Sequence, residues 1–208
     1  THIERKKNPK KENNLYQTDY GNPFMLTCNT RLPHLSSPKI RRAIASCINR
    51  QSLCMELLQG GEQAAFSVLA PQFSHAFPTF KDNNIYLAKQ LFKEGLEELG
   101  LTKNSFPKIT INHNNTSPQI AAICQIIKQN IEETLEIEVQ LTYRDTASHF
   151  KNLFSGDYEI ITNNWCMGYS DPMYTLSLPK FKDNSLNSTG WQNDTYISLL
   201  ETANKTPD

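Results

Sequence analysis

KITINHNNTSPQIAAICQIIKQNIEETLEIEVQLTYR, residues 108 to 144, carries the clearest structural pattern in the sequence. Its beginning, Lys108 to His113, alternates polar and apolar residues, which predicts a strand. Ser117 followed by Pro118 is a typical helix start, because serine caps the first turn and proline needs no amide partner there. The apolar residues after it recur on one side of a helix: Ile120, Ile123, Cys124, Ile127 and Ile131.

A second alternation closes this stretch and carries the apolar residues Ile137, Val139, Leu141 and Tyr143. Two strands joined by a crossover helix of this length pair in parallel, and the connection is right-handed. The stretch therefore predicts an α/β domain in which helices pack on a sheet.

Helix-start signals on either side of this unit extend the same architecture. Further helices are expected to begin at Ser37, at Asn49 or Arg50, at Asn83 or Asn84, and at Thr146. The second of these should end at Gly60-Gly61 and the third at Gly100, since glycine commonly terminates a helix. Residues 65 to 71, AFSVLAP, and Tyr158 to Thr162 are expected to be strands.

The stretch NNWCMGYSDP, residues 163 to 172, follows the last predicted strand directly. Asp171-Pro172 is a turn signal, and Gly168 permits backbone angles that other residues avoid. In open α/β sheets, ligands usually bind beyond the carboxyl ends of the strands. We therefore expect Trp165 to Tyr169 to line a cleft; the alternative is that Trp165 is a core residue beside a turn.

Composition excludes several classes of function. The 208 residues carry 21 basic and 21 acidic side chains, so a general nucleic-acid-binding surface is not expected. No window approaches the roughly 18 apolar residues of a membrane span. The five cysteines form no CxxC pair and have no metal-finger spacing. We expect no metal or other cofactor.

Sequence motifs of enzymes are also missing. There is no Walker loop, no HExxH and no GxSxG. A nucleophilic pair of Cys166 and His113 is geometrically possible, since both lie at the ends of predicted strands. A cysteine beside a tryptophan is more often a packing residue, so a hydrolase is kept as the rival hypothesis and a non-catalytic protein is expected.

Five stretches, taken in order, resemble the family 5 solute-binding proteins, the oligopeptide and dipeptide receptors of bacterial ABC importers. They carry the family's Arg-Arg-Ala-Ile and Ile-Asn-Arg, its glycine pair, its Ala-Lys helix, and its strand that ends in Trp and continues to Asp-Pro. The stretches are LTCNTRLPHLSSPKIRRAIASCINRQSL (26–53), LLQGGEQAAFSVLAP (57–71), NIYLAKQLFKEG (84–95), YEIITNNWCMGYSDP (158–172) and NSTGWQNDTYISLLETA (187–203).

The resemblance implies a type II-like periplasmic-binding-protein lobe, with a mixed sheet flanked by helices. Residues 1 to 208 would be a single lobe, the large C-terminal lobe of a two-lobed receptor, with residues 1 to 15 as a flexible or linker-like start. Both ends of the sequence are expected to be cut from a longer chain. The implied partners are a peptide or peptide-like solute, the missing N-terminal lobe and an inner-membrane ABC permease. The implied location is the periplasm, with the full-length protein anchored as a lipoprotein.

The resemblance also places the ligand-binding residues. Trp165 matches the family's tryptophan at the strand end, and the backbone of Asn164 to Met167 would pair with the peptide main chain. The ligand-binding set is Asn164, Trp165, Cys166, Met167, Gly168 and Tyr169.

Three positions depart from the family pattern. Gly168 stands where receptors of free-amine peptides usually have an aspartate, while Asp171 belongs to the turn. Ala147 falls near a position that often carries a pocket-lining tryptophan, so that pocket would be larger here. Cys166 matches a cysteine that some members bridge to the strand near Asn22, and Cys28 lies six residues further on. A modified peptide such as a muropeptide, or another solute, is therefore the alternative ligand, and a structural or adhesive role is also open.

Overall fold

The structure is a computed structural model that describes residues 2–5, 15–18, 22–69, 81–114, 117–165 and 171–206, with side chains from residue 22 onward. The strands are β1 (His2–Arg5), β2 (Leu15–Thr18), β3 (Phe24–Cys28), β4 (Ile109–Asn114), β5 (Val139–Arg144) and β6 (Ile160–Asn164). The helices are α1 (Pro33–Ser36), α2 (Pro38–Cys47), α3 (Arg50–Ser52), α4 (Ile85–Leu99), α5 (Pro118–Leu135), α6 (Thr146–Ser155), α7 (Pro172–Ser177) and α8 (Asp194–Lys205).

A mixed four-stranded sheet in the order β3-β6-β4-β5 forms the centre of the molecule. The strands β4, β5 and β6 run parallel to one another, and β3 is antiparallel to β6. The register of β4 on β5 begins at Ile109↔Val139 and ends at Asn114↔Arg144. The parallel strand, helix, strand unit predicted from residues 108 to 144 is confirmed, and so is the α/β class.

The main core lies on one face of the sheet, where α5 packs on β4 and β5 while α2 and α4 pack on α5 and on each other. A smaller cluster of Leu153, Tyr158 and Ile161 lies on the other face, under α6. Ile160 belongs to the main core and its neighbour Ile161 to the smaller cluster, as expected for adjacent residues of a strand buried on both faces. The sheet is therefore covered on both sides, and its ligand-binding potential lies at the strand ends.

Side-chain caps fix most of the helix starts in the described residues. Ser37 accepts a hydrogen bond from the Lys39 amide at the start of α2, and Asn84 accepts one from the Leu87 amide at the start of α4. Gly100 ends α4 with φ +66°, a left-handed conformation that suits glycine. These ends agree with the sequence. The cap of α6 is Asp145, which accepts from the Ser148 amide, so the predicted cap Thr146 is instead the first helical residue.

Other expectations need correction. Residues 65–69, the described part of AFSVLAP, form no strand: residues 67–69 are bends, in which the Leu69 amide donates to Oγ of Ser67 at 3.1 Å. The helix that starts after Asn49 continues as a π-helix over Leu53–Leu58, and Gln59 ends it with φ 54°, one residue before the predicted glycine pair. Residues 2–5 form β1, which pairs antiparallel with β2 in a separate two-stranded sheet, and a flexible or linker-like start at residues 1 to 15 stays a prediction.

Candidate ligand-binding site

The candidate site starts at the carboxyl end of β6, which lies inside the sheet between β3 and β4. The carboxyl ends of β4, β5 and β6 lie at the same edge because the three strands are parallel. The last residue of β6, Asn164, is exposed. The next amide, that of Trp165, donates to the Pro23 carbonyl at 3.2 Å, so the pairing with the β3 side continues one residue beyond the strand.

The indole of Trp165 packs on α7 and is only partly buried. Its ring stacks on Tyr174 with a centroid distance of 6.0 Å and an interplanar angle of 30°. Its Nε1 donates to Oγ1 of the buried Thr175 at 3.2 Å. Trp165 belongs to neither buried cluster of the described residues. The ring is thus held in one orientation on the outside of the core, which leaves part of it accessible at the sheet edge.

Asp171 fixes the start of α7. Its Oδ1 accepts from the Met173 amide at 2.8 Å, and Pro172 occupies the first helical position. This is the turn chemistry expected of Asp171-Pro172. Beside the helix is a shallow depression of about 460 Å³ lined by Asp171, Met173, Tyr174, Ser177, Leu178 and Asn184.

The other predicted site residues, Cys166, Met167, Gly168 and Tyr169, lie outside the described residues, so their roles remain predictions. The strand after Asn22, to which some family members bridge the cysteine that Cys166 matches, is described. In it Cys28 pairs with Ile160, at the opposite end of β6 from Trp165. Burial raises the pKa of the Cys28 thiol to about 11, so this thiol is a poor nucleophile near neutral pH.

His113 lies at the same sheet edge, near the end of β4, and is almost fully buried. Its Nδ1 is 3.4 Å from the Asn114 carbonyl, and its ring meets Tyr143 edge-on at 6.3 Å. These contacts give His113 a packing role. Whether it approaches Cys166 is not tested, because Cys166 is not among the described residues.

Helix α6 adds aromatic residues that were not predicted as part of a site. Phe150 and Phe154 are 46% and 59% exposed, and their rings stack at 6.3 Å. Ala147, near the predicted enlarged pocket, is exposed in the first turn of this helix. The sequence contained a signal for the pair, the i, i+4 spacing, but that spacing equally predicts a buried face.

The partners of Trp165 were also missed. Tyr174 and Thr175 follow Asp171-Pro172, and a helix start at that dipeptide places both on the first turns of α7. That signal was present in the sequence, but a turn alone was predicted. Within the described ranges, no group of three or more His, Cys, Asp or Glu side chains is arranged to hold a metal ion. None of the described helices has the length and hydropathy of a membrane span.

The fold and this site edge define a class of protein. Residues 1–187 match the model of the bacterial extracellular solute-binding proteins, family 5 Middle, and the chain belongs to that family. It is 30% identical over 196 residues to the oligopeptide-binding protein OppA of Bacillus subtilis, a match that covers 92% of this chain and 36% of OppA. The chain thus spans little more than a third of that relative.

Solved structures agree with the family. A periplasmic oligopeptide-binding protein of Borrelia burgdorferi, OppAIV, superposes with a TM-score of 0.79 at 25% identity, covering 90% of this chain and 37% of that one. The murein tripeptide binding protein MppA of Escherichia coli superposes with a TM-score of 0.76 at 20% identity, covering 90% and 37%. The type II periplasmic-binding-protein fold expected from the sequence is confirmed.

Proposed function

We propose that this chain is part of the substrate-binding lobe of an oligopeptide receptor that delivers peptides to an ABC importer. Two findings support the proposal: the family 5 match over residues 1–187 and the likeness to OppA over nearly the whole chain. Because the chain spans about a third of OppA, the rest of the receptor would supply the opposing lobe. The two lobes would close on the peptide by a hinge motion.

The observation that carries the proposal is the position of Trp165. The residue leaves an interior strand at the carboxyl edge of the sheet, where ligands of α/β sheets bind. Its indole is fixed by Tyr174 and Thr175. A rigid, partly exposed indole can cover a peptide backbone or stack on a side chain without losing conformational freedom on binding. The backbone from Asn164 onward would pair with the peptide main chain, as an added strand does.

A second ligand class is favoured by one feature of the sequence. Gly168 replaces the aspartate that would hold a free peptide amine, and Asp171, the nearest described carboxylate, already accepts the Met173 amide. A buried carboxylate and ammonium pair orients a ligand strongly, so its loss weakens the preference for a free amine. A modified peptide, such as the murein tripeptide bound by MppA, is therefore the alternative.

The proposal includes a location and excludes catalysis. The receptor would work outside the cytoplasmic membrane, in the periplasm, with a lipid anchor on the full-length protein and a membrane permease as its partner. It would bind its solute without reacting with it. Rapid labelling of Cys166 by a thiol reagent at neutral pH would instead favour the hydrolase with Cys166 and His113.

The test is to identify what the full-length protein binds. The purified receptor is incubated with a pool of free peptides, N-acetylated peptides and muropeptides, washed, and analysed by native mass spectrometry. Retention of peptides or muropeptides in stoichiometric amounts supports the proposal, and their relative amounts separate the two ligand classes. Retention of none of them, or their hydrolysis during incubation, would refute it.

A further inference from the structure

Strand β6, which ends at the candidate site, has only a short backbone ladder on its β4 side. β4 pairs with β5 at every position from Ile109 to Asn114, but it pairs with β6 only at Ile111↔Ile160 and Asn112↔Ile161. Parallel pairs are usually extended by further backbone bonds. Here side chains take over at both ends of the β4–β6 ladder.

The first of these side chains is Glu159, which directly precedes β6. Its carboxylate accepts a hydrogen bond from the Thr110 amide of β4. The same carboxylate is 3.1 Å from Nε2 of His34, which lies in α1. Glu159 thus ties β4 to the beginning of β6.

The second side chain is His149, in α6. On either side of β6, the Glu159 carbonyl accepts from the Asn29 amide and the Trp165 amide donates to Pro23, so the backbone groups of the odd-numbered residues along this stretch face the β3 side. Backbone groups alternate along a strand, so the carbonyl of Thr162 faces β4. It lies beyond the last β4–β6 pair, and Nε2 of His149 approaches it at 2.8 Å.

The protonation state of this histidine follows from its partner. A carbonyl oxygen can only accept, so Nε2 must carry the proton and the neutral ring leaves Nδ1 without one. His149 is 2% exposed, and its Nδ1 is buried with no hydrogen-bond partner in the described part of the chain. A second proton would therefore be placed on a buried nitrogen that has no acceptor, together with a buried positive charge.

We propose that His149 is a positioning residue whose neutral imidazole takes the place of a β4 amide and holds the carboxyl end of β6, and that charging the ring loosens this end. The consequence for ligand affinity rests on the proposed function, because Trp165 follows Thr162 by three residues. Acidification would then weaken ligand binding through the position of Trp165.

The surroundings of His149 also favour its neutral form. Burial lowers the pKa of its imidazole, the bond to Thr162 acts in the opposite direction, and His113 lowers it further. His113 is the ionisable group of β4, and Tyr143 and Arg144 are those of β5. β6 has none, and α6 adds the exposed Lys151.

Asp145 is the acidic residue closest to His149 along the sequence, and it caps α6 by accepting from the Ser148 amide. None of the strands that pack on α6 contributes a carboxylate from its described residues. A protonated His149 would therefore have no compensating charge on these elements.

The binding test compares wild type, His149→Gln and His149→Leu in the full-length receptor, with Lys151→Gln as the control on the exposed side of the same helix. Wild-type peptide affinity should fall about threefold between pH 7 and pH 5, as expected for a histidine that must stay neutral and that resists protonation down to pH 6. His149→Leu should bind weakly at both pH values. His149→Gln keeps an N–H donor that does not titrate, so it should recover part of the affinity and lose most of the pH dependence.

Two measurements do not need a ligand. In 15N-histidine-labelled full-length protein, the signal that disappears in His149→Gln should show the Nε2–H tautomer at pH 7 and stay neutral at pH 6. Wild-type stability should decrease as pH falls below about 6.5, because the unfolded imidazole then takes up a proton that the folded one resists. His149→Gln should lack this component.

An Nδ1–H tautomer, ordinary titration near pH 6.5, or identical pH profiles of wild type and His149→Gln would overturn the proposal. A wild-type receptor that binds no peptide at any pH would refute the proposed function instead. The tautomer and the pH-dependent unfolding would still decide the role of His149.

Discussion

Gly95 offers a sharp test of the helix packing, because two effects of known size oppose each other there. It lies in the middle of α4, where alanine is favoured over glycine by about 1 kcal/mol. A Cβ at Gly95 would lie 2.7 Å from Cδ1 and 2.8 Å from Cγ1 of Ile40, and 3.1 Å from the Ile40 backbone nitrogen. Ile40 is fully buried in α2, so it has little space to move. Overpacking of this kind costs about 1–3 kcal/mol.

Since one contact is with backbone, we expect the clash to exceed the gain in helix propensity. Gly95→Ala should lower the free energy of unfolding by up to about 2 kcal/mol, the overpacking cost less the gain in helix propensity, in urea denaturation of the 208-residue chain. In the Ile40→Ala background the same substitution should cost less, because the two closest atoms are gone. Gly100→Ala is the control: its strain comes from φ +66° and no atom lies within 4 Å, so its cost should not depend on residue 40. A Gly95→Ala protein more stable than wild type would refute the close approach of α2 and α4.

Three further outcomes are expected. Asp82→Ala should destabilise the chain by about 2–3 kcal/mol in the same assay, because Asp82 accepts from the Arg50 amide at 2.8 Å and from the Arg50 guanidinium at 3.0 Å. Both side chains are over 80% buried. A change below about 0.5 kcal/mol would mean that the pair contributes little to stability. Labelling of Cys28, Cys47 and Cys124 at pH 8 should be slow until the chain unfolds, since burial raises the pKa of these three thiols to about 11 or 12. Fast labelling of any of the three in the folded chain would contradict this expectation. Full-length wild-type receptor should not prefer a free-amine peptide over its acetylated twin, whereas Gly168→Asp should acquire that preference; a strong wild-type preference abolished by Asp171→Asn would show that Asp171 is the anchor.

The sequence predicted the centre of this fold well because its signals there agree with one another. Between residues 108 and 144, alternation, a Ser-Pro helix start and a continuous apolar stripe all specify the same strand, helix, strand unit. The strand prediction for residues 65 to 71 was wrong for the opposite reason. Their short apolar run suits a strand as well as a packed loop, and tertiary contacts decide between them.

The candidate site was predictable only in part. The position of Trp165 at a strand end follows from local pattern and from the family resemblance. The contacts of its indole with Tyr174 and Thr175 required the start of α7 to be recognised at Asp171-Pro172. The bond between His149 and the Thr162 carbonyl joins α6 to the strand that follows it in the chain, and no local pattern encodes where a backbone ladder stops.

Peptide binding at Trp165 is tested most directly by calorimetry. One peptide that the receptor retains in the mass-spectrometry experiment is titrated into full-length wild type, Trp165→Ala and Trp191→Ala. Trp191 is the matched control, because it is the second of the two tryptophans and packs edge-on against Tyr196 in α8. Wild type should bind the peptide, and Trp165→Ala should raise Kd at least about tenfold, equivalent to about 1.4 kcal/mol. Trp191→Ala should keep the wild-type Kd, and both variants should remain folded by circular dichroism. Equal affinity of folded Trp165→Ala and wild type would mean that the indole has a structural role and does not bind the peptide.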